Sequence, residues 1–232
     1  MTNDSITIPT MTNKKPIIAL DCDGVLLNYH SQYSHIYEKT FGKKPTVVSP
    51  KAFHARHTYG INFNNEEKKQ FDDVWSEHGW RTMPTHDGAV QACQLLHDAG
   101  YELICVTAMP ARFIEHRLEN FRSHGFPIDN IISSGYNAQD DSHNPKREII
   151  EDLHPVAFVD DFRRNFRNIA GVHTKLVFID HEYENDPCQH DNIYYDVKYP
   201  SLLDFVEHFL KTEQHGESIN WPERPVHLIP SS

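Results

Sequence analysis

Pro16-Ile17-Ile18-Ala19-Leu20-Asp21-Cys22-Asp23-Gly24-Val25-Leu26-Leu27 carries an apolar β-type run straight into two carboxylates two positions apart, and then into a glycine. In an extended chain residues i and i+2 project to the same side, so Asp21 and Asp23 leave the strand end together. Gly24 permits the tight turn that must follow. Neighbouring acids repel, and a shared proton or a bound cation relieves the repulsion. The pair therefore asks for Mg2+ or for an acid and a base with divided roles.

Outward from this stretch, short apolar runs at 17–20, 102–106, 128–133, 156–159 and 175–179 alternate with amphipathic stripes. One stripe runs through Ala89, Ala92, Cys93 and Leu96 to Gly100, another through Ile114, Leu118 and Phe121 to Gly125. Further stripes take in Ile149, Ile150 and Leu153, then Phe162, Phe166 and Ile169 up to Gly171, and finally Leu203, Val206 and Leu210 after Pro200-Ser201. Spacing of three and four marks helices, and glycine closes several of them. Strands without a polar face, separated by helices, predict an α/β fold: a Rossmann-like parallel sheet with helices on both faces.

The alternation breaks once, between 29 and 83. There a stripe through Tyr33, Ile36, Tyr37 and Phe41 is followed by a loop, and then by a stripe through Phe71, Val74 and Trp75. This predicts a small helical cap at 29–83 inserted after the first strand, with the α/β core at 15–28 and 84–212. Residues 1–14 and 213–232 read as tails, with Trp221 docking on the body; Met1 and Met11 are both candidate starts.

Composition narrows the function. A chain of 232 residues with 38% hydrophobic and 11% aromatic residues can bury a full core. Its formal charge of -11 argues against a sequence-independent nucleic-acid binder, which needs a basic face. No apolar run approaches the roughly 20 residues of a membrane span, and the first residues are too polar for a signal peptide, so a cytoplasmic protein is expected. The four cysteines, Cys22, Cys93, Cys105 and Cys188, are too scattered for a zinc site or a disulfide frame, and the 17 histidines form no H-x-x-x-H pair.

Chemistry gathers at the ends of four predicted strands and helix starts: Asp21-x-Asp23-Gly24, Thr107, Lys146 in Asn144-Pro145-Lys146-Arg147, and Asp160-Asp161. In an open parallel sheet these ends share one edge, where ligands bind. Carboxylates from two strands suit Mg2+, while a hydroxyl and a lysine suit phosphate oxygens. A calcium-binding EF-hand loop fails, because Val25 and Leu26 stand where it needs an oxygen ligand and a glycine. Arg112 reads as a helix-surface residue, and Arg163, Arg164 and Arg167 as a solvated helix face. The aromatics Tyr29, Tyr33, Tyr37, Phe53, Tyr59, Trp75 and Trp80 read mostly as the cap's own core.

In the order and spacing of these motifs, from Ile17 to Leu210, the chain resembles the haloacid dehalogenase-like (HAD) phosphohydrolases, and the cap position resembles their C1 subclass. The resemblance implies that Asp21 is the nucleophile, forming an aspartyl-phosphate, and that Asp23 is the general acid and then base. It implies Mg2+ held by Asp21, the backbone carbonyl of Asp23, and Asp160, with Asp161 beside the metal and Asn165 in support. Thr107 and Lys146 would bind the phosphoryl group. The family's dehalogenases generally lack the second acid, so Asp23 speaks against dehalogenation.

The resemblance extends in outline to cytosolic 5'-nucleotidases with short caps, which makes a nucleoside monophosphate one candidate beside sugar phosphates and phosphoglycolate. The expected partner is thus a small phosphorylated substrate. The same residues leave alternatives open: a phosphomutase, which would retain phosphate on its product, a catalytically silent phosphoryl-binding or signalling protein, and a DxD glycosyltransferase, marked by Mn2+ and a nucleotide-sugar.

Overall fold

The computed structural model describes residues 15–135, 144–169, 171–184 and 193–214, with side chains of the last helix described to 212. The expected tail at 1–14, most of the tail at 213–232 with Trp221, and Cys188 lie outside the described residues. In chain order the strands are β1 (Ile17–Leu20), β2 (Glu102–Thr107), β3 (Asn130–Ser133), β4 (Ala157–Asp160), β5 (Lys175–Ile179) and β6 (Val197–Tyr199). They form one sheet in the order β3-β2-β1-β4-β5-β6, and every pairing is parallel. The architecture is a Rossmann-like α/β sheet. Chain order reverses between β1 and its neighbour β4, so the crevice of such a sheet opens at their carboxyl ends.

Alternation of side chains across the strands builds two cores. Ile18, Leu20, Leu103, Cys105, Val159 and Val177 face one side. Ile17, Ala19, Ile104, Val106, Phe158 and Leu176 face the other. On the first side pack α4 (Ala89–Asp98), through Ala92 and Leu96, α5 (Ile114–His124), through Phe121, and α7 (Leu202–Gln214), through Phe205 and Phe209. On the second side α6 (Arg147–Leu153) contributes Ile150. With both faces covered, the strands need no polar side.

Between β1 and α4 stands a helical insertion of α1 (Tyr29–Phe41), α2 (Ala55–Thr58), α3 (Asn65–Val74) and a π-helical turn over Trp75–Gly79. Local sequence sets its limits. The Asn28 side chain accepts from the Ser31 amide at α1, and Gly42 ends that helix in the left-handed region at φ 68°. At α3, Asn64 and Glu67 form a reciprocal capping box. Tyr33, Phe71 and Trp75 are buried against one another, with the Tyr33 and Phe71 rings 4.7 Å apart.

Two segments differ from the sequence reading. The helix expected through Phe162 and Ile169 is a 3-10 turn over Arg163–Phe166. The Asn144 side chain captures the Asn165 and Arg167 carbonyls at 2.7 and 3.0 Å, and Asn168 turns to φ 55°, so no helical ladder propagates. Its arginines do not form a solvated face. Arg164 is buried, and the Arg163 guanidinium lies 5.4 Å over the Phe178 ring. The second difference is β6, a three-residue edge strand too short to show a period. Among the described residues no helix is long and apolar enough to cross a membrane.

Candidate active site

The Asp21 amide donates to the Val159 carbonyl at 2.9 Å, extending the β1–β4 pairing by one step and seating Asp21 at the mouth of the crevice. Lys146 arrives from the start of α6, where its amide donates to the Asn144 side chain at 3.0 Å. Its ammonium donates to Asp21 Oδ1 and, at 2.7 Å, to Asp160 Oδ2. Lys146 is 1% exposed and Asp160 0%. Burial alone would lower the Lys146 pKa, but the two carboxylates outweigh it and the net shift is upward.

Each Asp160 oxygen already accepts two hydrogen bonds. Its Oδ1 receives the Phe162 amide at 2.8 Å, its Oδ2 receives Lys146, and the Asn165 amide spans both oxygens at 2.9 Å. Asp161, the next residue, turns the other way. Its nearest cationic candidate is His181 Nε2 at 3.7 Å, and an imidazole is charged only when protonated. Asp21, Asp160 and Asp161 each offer an oxygen within 4.8 Å of the others'.

This crowding shifts the acids. Asp21 is raised from 3.8 to about 7, first by burial and then by Asp160 and Asp23, with Lys146 opposing. Asp161 is raised well above the ordinary range, again by burial first and then by Asp21 and Asp160. One ammonium does not neutralise three crowded carboxylates, two of them buried and the third half-buried. A hard divalent cation that prefers oxygen ligands fits both the donor set and the excess negative charge.

Thr107 ends β2 and is buried, with its Oγ1 accepting from the Met109 amide at 3.3 Å. It joins Asp21, Asp23 and Lys146 in lining a cleft of about 420 Å3 that is also lined by Tyr29, Phe53 and Trp80. All of the residues predicted for the site therefore meet at this crevice. Asp21, Asp23, Thr107, Lys146, Asp161 and Asn165 line it, and Asp160 lies behind them.

No protein-family model matches the chain. A protein of Oceanobacillus iheyensis named "Putative nucleotidase" is 26% identical over 171 residues, covering 72% of this chain and 87% of that protein. Among solved structures, a haloacid dehalogenase-like family hydrolase of Streptococcus pneumoniae superposes with a TM-score of 0.55 at 13% identity, covering 84% of this chain and 98% of that one. A Haemophilus somnus protein described as a predicted phosphoglycolate phosphatase gives 0.54 at 14% identity, over 85% and 99% of the two chains. The L-2-haloacid dehalogenase of Xanthobacter autotrophicus gives 0.53 at 10% identity, over 85% and 99%. The fold is that of the haloacid dehalogenase-like hydrolases.

On this HAD-like fold the sequence reading missed Arg117. Fully buried in α5, it donates through Nη2 to Asp23 Oδ1 at 3.1 Å. The signal was available: Ile114, Arg117, Leu118 and Phe121 sit at helical spacing on one face, and a charge inside an apolar stripe needs a buried partner. The sequence also gave no reason to gather His30, His86, His181 and Tyr183. His181 Nε2 lies 2.7 Å from the Gly24 carbonyl oxygen, and the His86 ring stacks on it at 5.2 Å. Tyr183 and Phe53 meet at 5.4 Å, so the loop after β5 reaches the helical insertion. Arg112 lies over the Phe113 ring at 4.6 Å, in keeping with a helix-surface role.

Proposed function

We propose that the protein is a Mg2+-dependent phosphomonoester hydrolase of the cytoplasm, working through an aspartyl-phosphate. The single observation that carries this reading is the Asp21 carboxylate at the end of β1, buried and paired with Lys146, with a second acid two residues on facing the same cleft. Free buried thiols at Cys22, Cys93 and Cys105 are in keeping with a reducing compartment.

Asp21 attacks phosphorus as the bond to the leaving oxygen breaks, and Asp23 donates a proton to that oxygen. Asp23 then takes a proton from water as the water attacks the aspartyl-phosphate, releasing inorganic phosphate and restoring Asp21. Thr107 and Lys146 bind the phosphoryl oxygens, and Lys146 favours the ionised nucleophile. Asp21, the Asp23 backbone carbonyl and Asp161 would hold Mg2+, with Asp160 behind them. Because each Asp160 oxygen already accepts two hydrogen bonds, Asp161 would be the ligand and Asp160 would brace Lys146 and Asn165. When bound, the ion neutralises charge on the phosphoryl oxygens.

Residues 29–83 act as the cap, and the insertion limits water in the cleft. Tyr29, Phe53 and Trp80 line the same cleft as Asp21 and Lys146, which suits a leaving group with an aromatic ring. With the nucleotidase name of the Oceanobacillus relative, this makes a nucleoside monophosphate the leading candidate. Release of inorganic phosphate from a panel of nucleotides, sugar phosphates and phosphoglycolate, with Mg2+, tests the reading. Activity that survives Asp21→Asn in a folded protein overturns the nucleophile assignment, and phosphate retained on an isomerised product would mark a mutase instead.

A further inference from the structure

Arg117 is buried completely, yet among the described residues it meets one carboxylate only. Its Nη2 donates to Asp23 Oδ1 at 3.1 Å, and Nη1 donates to Asn120 Oδ1 at 3.3 Å and approaches Met83 Sδ at 3.6 Å. The guanidinium carbon lies 5.4 Å from the centre of the Trp80 ring, and Nε has no hydrogen-bond partner among the described residues. Asn120, itself fully buried, donates to the carbonyls of Arg81 and Met83 at 3.0 and 3.1 Å, and His124 Nε2 lies 2.9 Å from the Met83 carbonyl oxygen. These backbone groups belong to the segment by which the helical insertion returns to the sheet. A single helix, α5, thus grips both that segment and the side chain of Asp23.

A buried cation is costly unless something needs it there. Asp23 does not need Arg117 to satisfy its charge, because its side chain is 27% exposed and could be solvated from the cleft. What the guanidinium does is occupy one particular oxygen. A carboxyl oxygen that accepts from an arginine must stay unprotonated, while Asp23 Oδ2 has no hydrogen-bond partner among the described residues.

We infer that Arg117 is a positioning residue for Asp23: it holds Oδ1, so that the proton given to the leaving group resides on Oδ2, the oxygen left free at the cleft. The hold also requires the return segment to be seated, because Asn120 orients Arg117 only while bound to the Arg81 and Met83 carbonyls. Proton delivery is thereby tied to the seated insertion. This assignment rests on the phosphatase reading above.

The test is Arg117→Met with two ring-bearing esters that differ in their need for a proton. Benzyl phosphate leaves as an alkoxide and needs one; p-nitrophenyl phosphate leaves as a stable anion and does not. kcat/KM isolates the step that forms the aspartyl-phosphate. The expected result is a loss of about 100-fold for benzyl phosphate and less than about fivefold for p-nitrophenyl phosphate, since positioned acids contribute factors of that order. Inhibition by inorganic phosphate should be unchanged. Should Arg117→Met fail to fold, Arg117→Lys decides. One ammonium cannot serve Asp23 and Asn120 together, so the loss should again be selective, by about fivefold. Equal loss on both esters, or no loss in a folded variant, overturns the assignment of Arg117 alone. A wild-type protein that releases phosphate from neither ester nor any member of the nucleotide and sugar-phosphate panel overturns the phosphatase reading and this assignment with it.

Discussion

Gly24 and Asp161 interlock: a Cβ added at Gly24 would lie 1.9 Å from Asp161 Oδ2, and Gly24 itself sits at φ +95°. The turn after the two acids and the loop after β4 therefore fit only while position 24 has no side chain. Gly24→Ala must either move Asp161 or unwind the turn, and it adds backbone strain at a positive φ. Displacements of about an ångström at a reacting centre cost roughly 100-fold. The expected result is a loss of at least that order in phosphate release, with a far-UV circular dichroism spectrum that remains that of a folded protein. Near-normal turnover would show that the close approach is not required.

Lys146 is the ammonium that bridges buried Asp21 and Asp160. Lys146→Met leaves both carboxylates without it. Removing one member of a buried ionic group costs about 3–5 kcal/mol. Urea unfolding in Mg2+-free buffer should show a loss of that order, together with loss of phosphatase activity. Added Mg2+ should recover part of the stability, because a divalent cation supplies charge to the same acids. A loss below about 1 kcal/mol would contradict the assigned burial and pairing.

The raised acids give the metal-free protein a particular pH response. Asp21 is raised from 3.8 to about 7, chiefly by burial, so the folded state holds a proton that the unfolded state releases. Its contribution to stability is complete below about 4 and is lost as the pH rises through 7. Asp161, raised for the same reason, acts in the same direction. His86 acts oppositely: burial and then His181 lower it from 6.5 to about 4, so its contribution is lost as the pH falls through that interval. Mg2+ bound by the acids removes only the first dependence. The rise in Tm on adding Mg2+ should therefore be larger at pH 8 than at pH 5, by differential scanning fluorimetry. A rise independent of pH would mean that Mg2+ binds elsewhere.

How far these features could be read in the sequence depended on whether they were local. The strand 17–20 and the acids after it were legible because apolar run, carboxylate spacing and glycine all lie within one short stretch. Thr107, Lys146 and Asp160 followed, because each ends a run or opens a stripe. The turn after Phe162 was misread because what stops the helix is Asn144, reaching across from another loop to take its carbonyls. Arg117 was missed for a related reason: its partner Asp23 is 94 positions away, and only the fold brings the two together. Burial of a charge is a tertiary fact, although its setting within an apolar stripe was on view.

Asp160 and Asp161 make the last distinction, since adjacent acids of one type have opposite surroundings. Asp160 spends its acceptors on Lys146, Asn165 and the Phe162 amide, so it organises the site. Asp161 faces Gly24 and His181 and is the acid with oxygens free for a cation. Asp161→Asn removes repulsion among buried carboxylates, so the metal-free protein should be no less stable than wild type, while Mg2+ affinity falls by more than about tenfold for the loss of a direct ligand. Asp160→Asn puts an amide N–H where Lys146 and Asn165 both need an acceptor. It should lower metal-free stability by about 1–3 kcal/mol, the cost of a buried polar group left unmatched. Calorimetric Mg2+ titration and urea unfolding of both variants separate the roles. If Asp160→Asn loses more Mg2+ affinity than Asp161→Asn without losing stability, the two assignments must be exchanged.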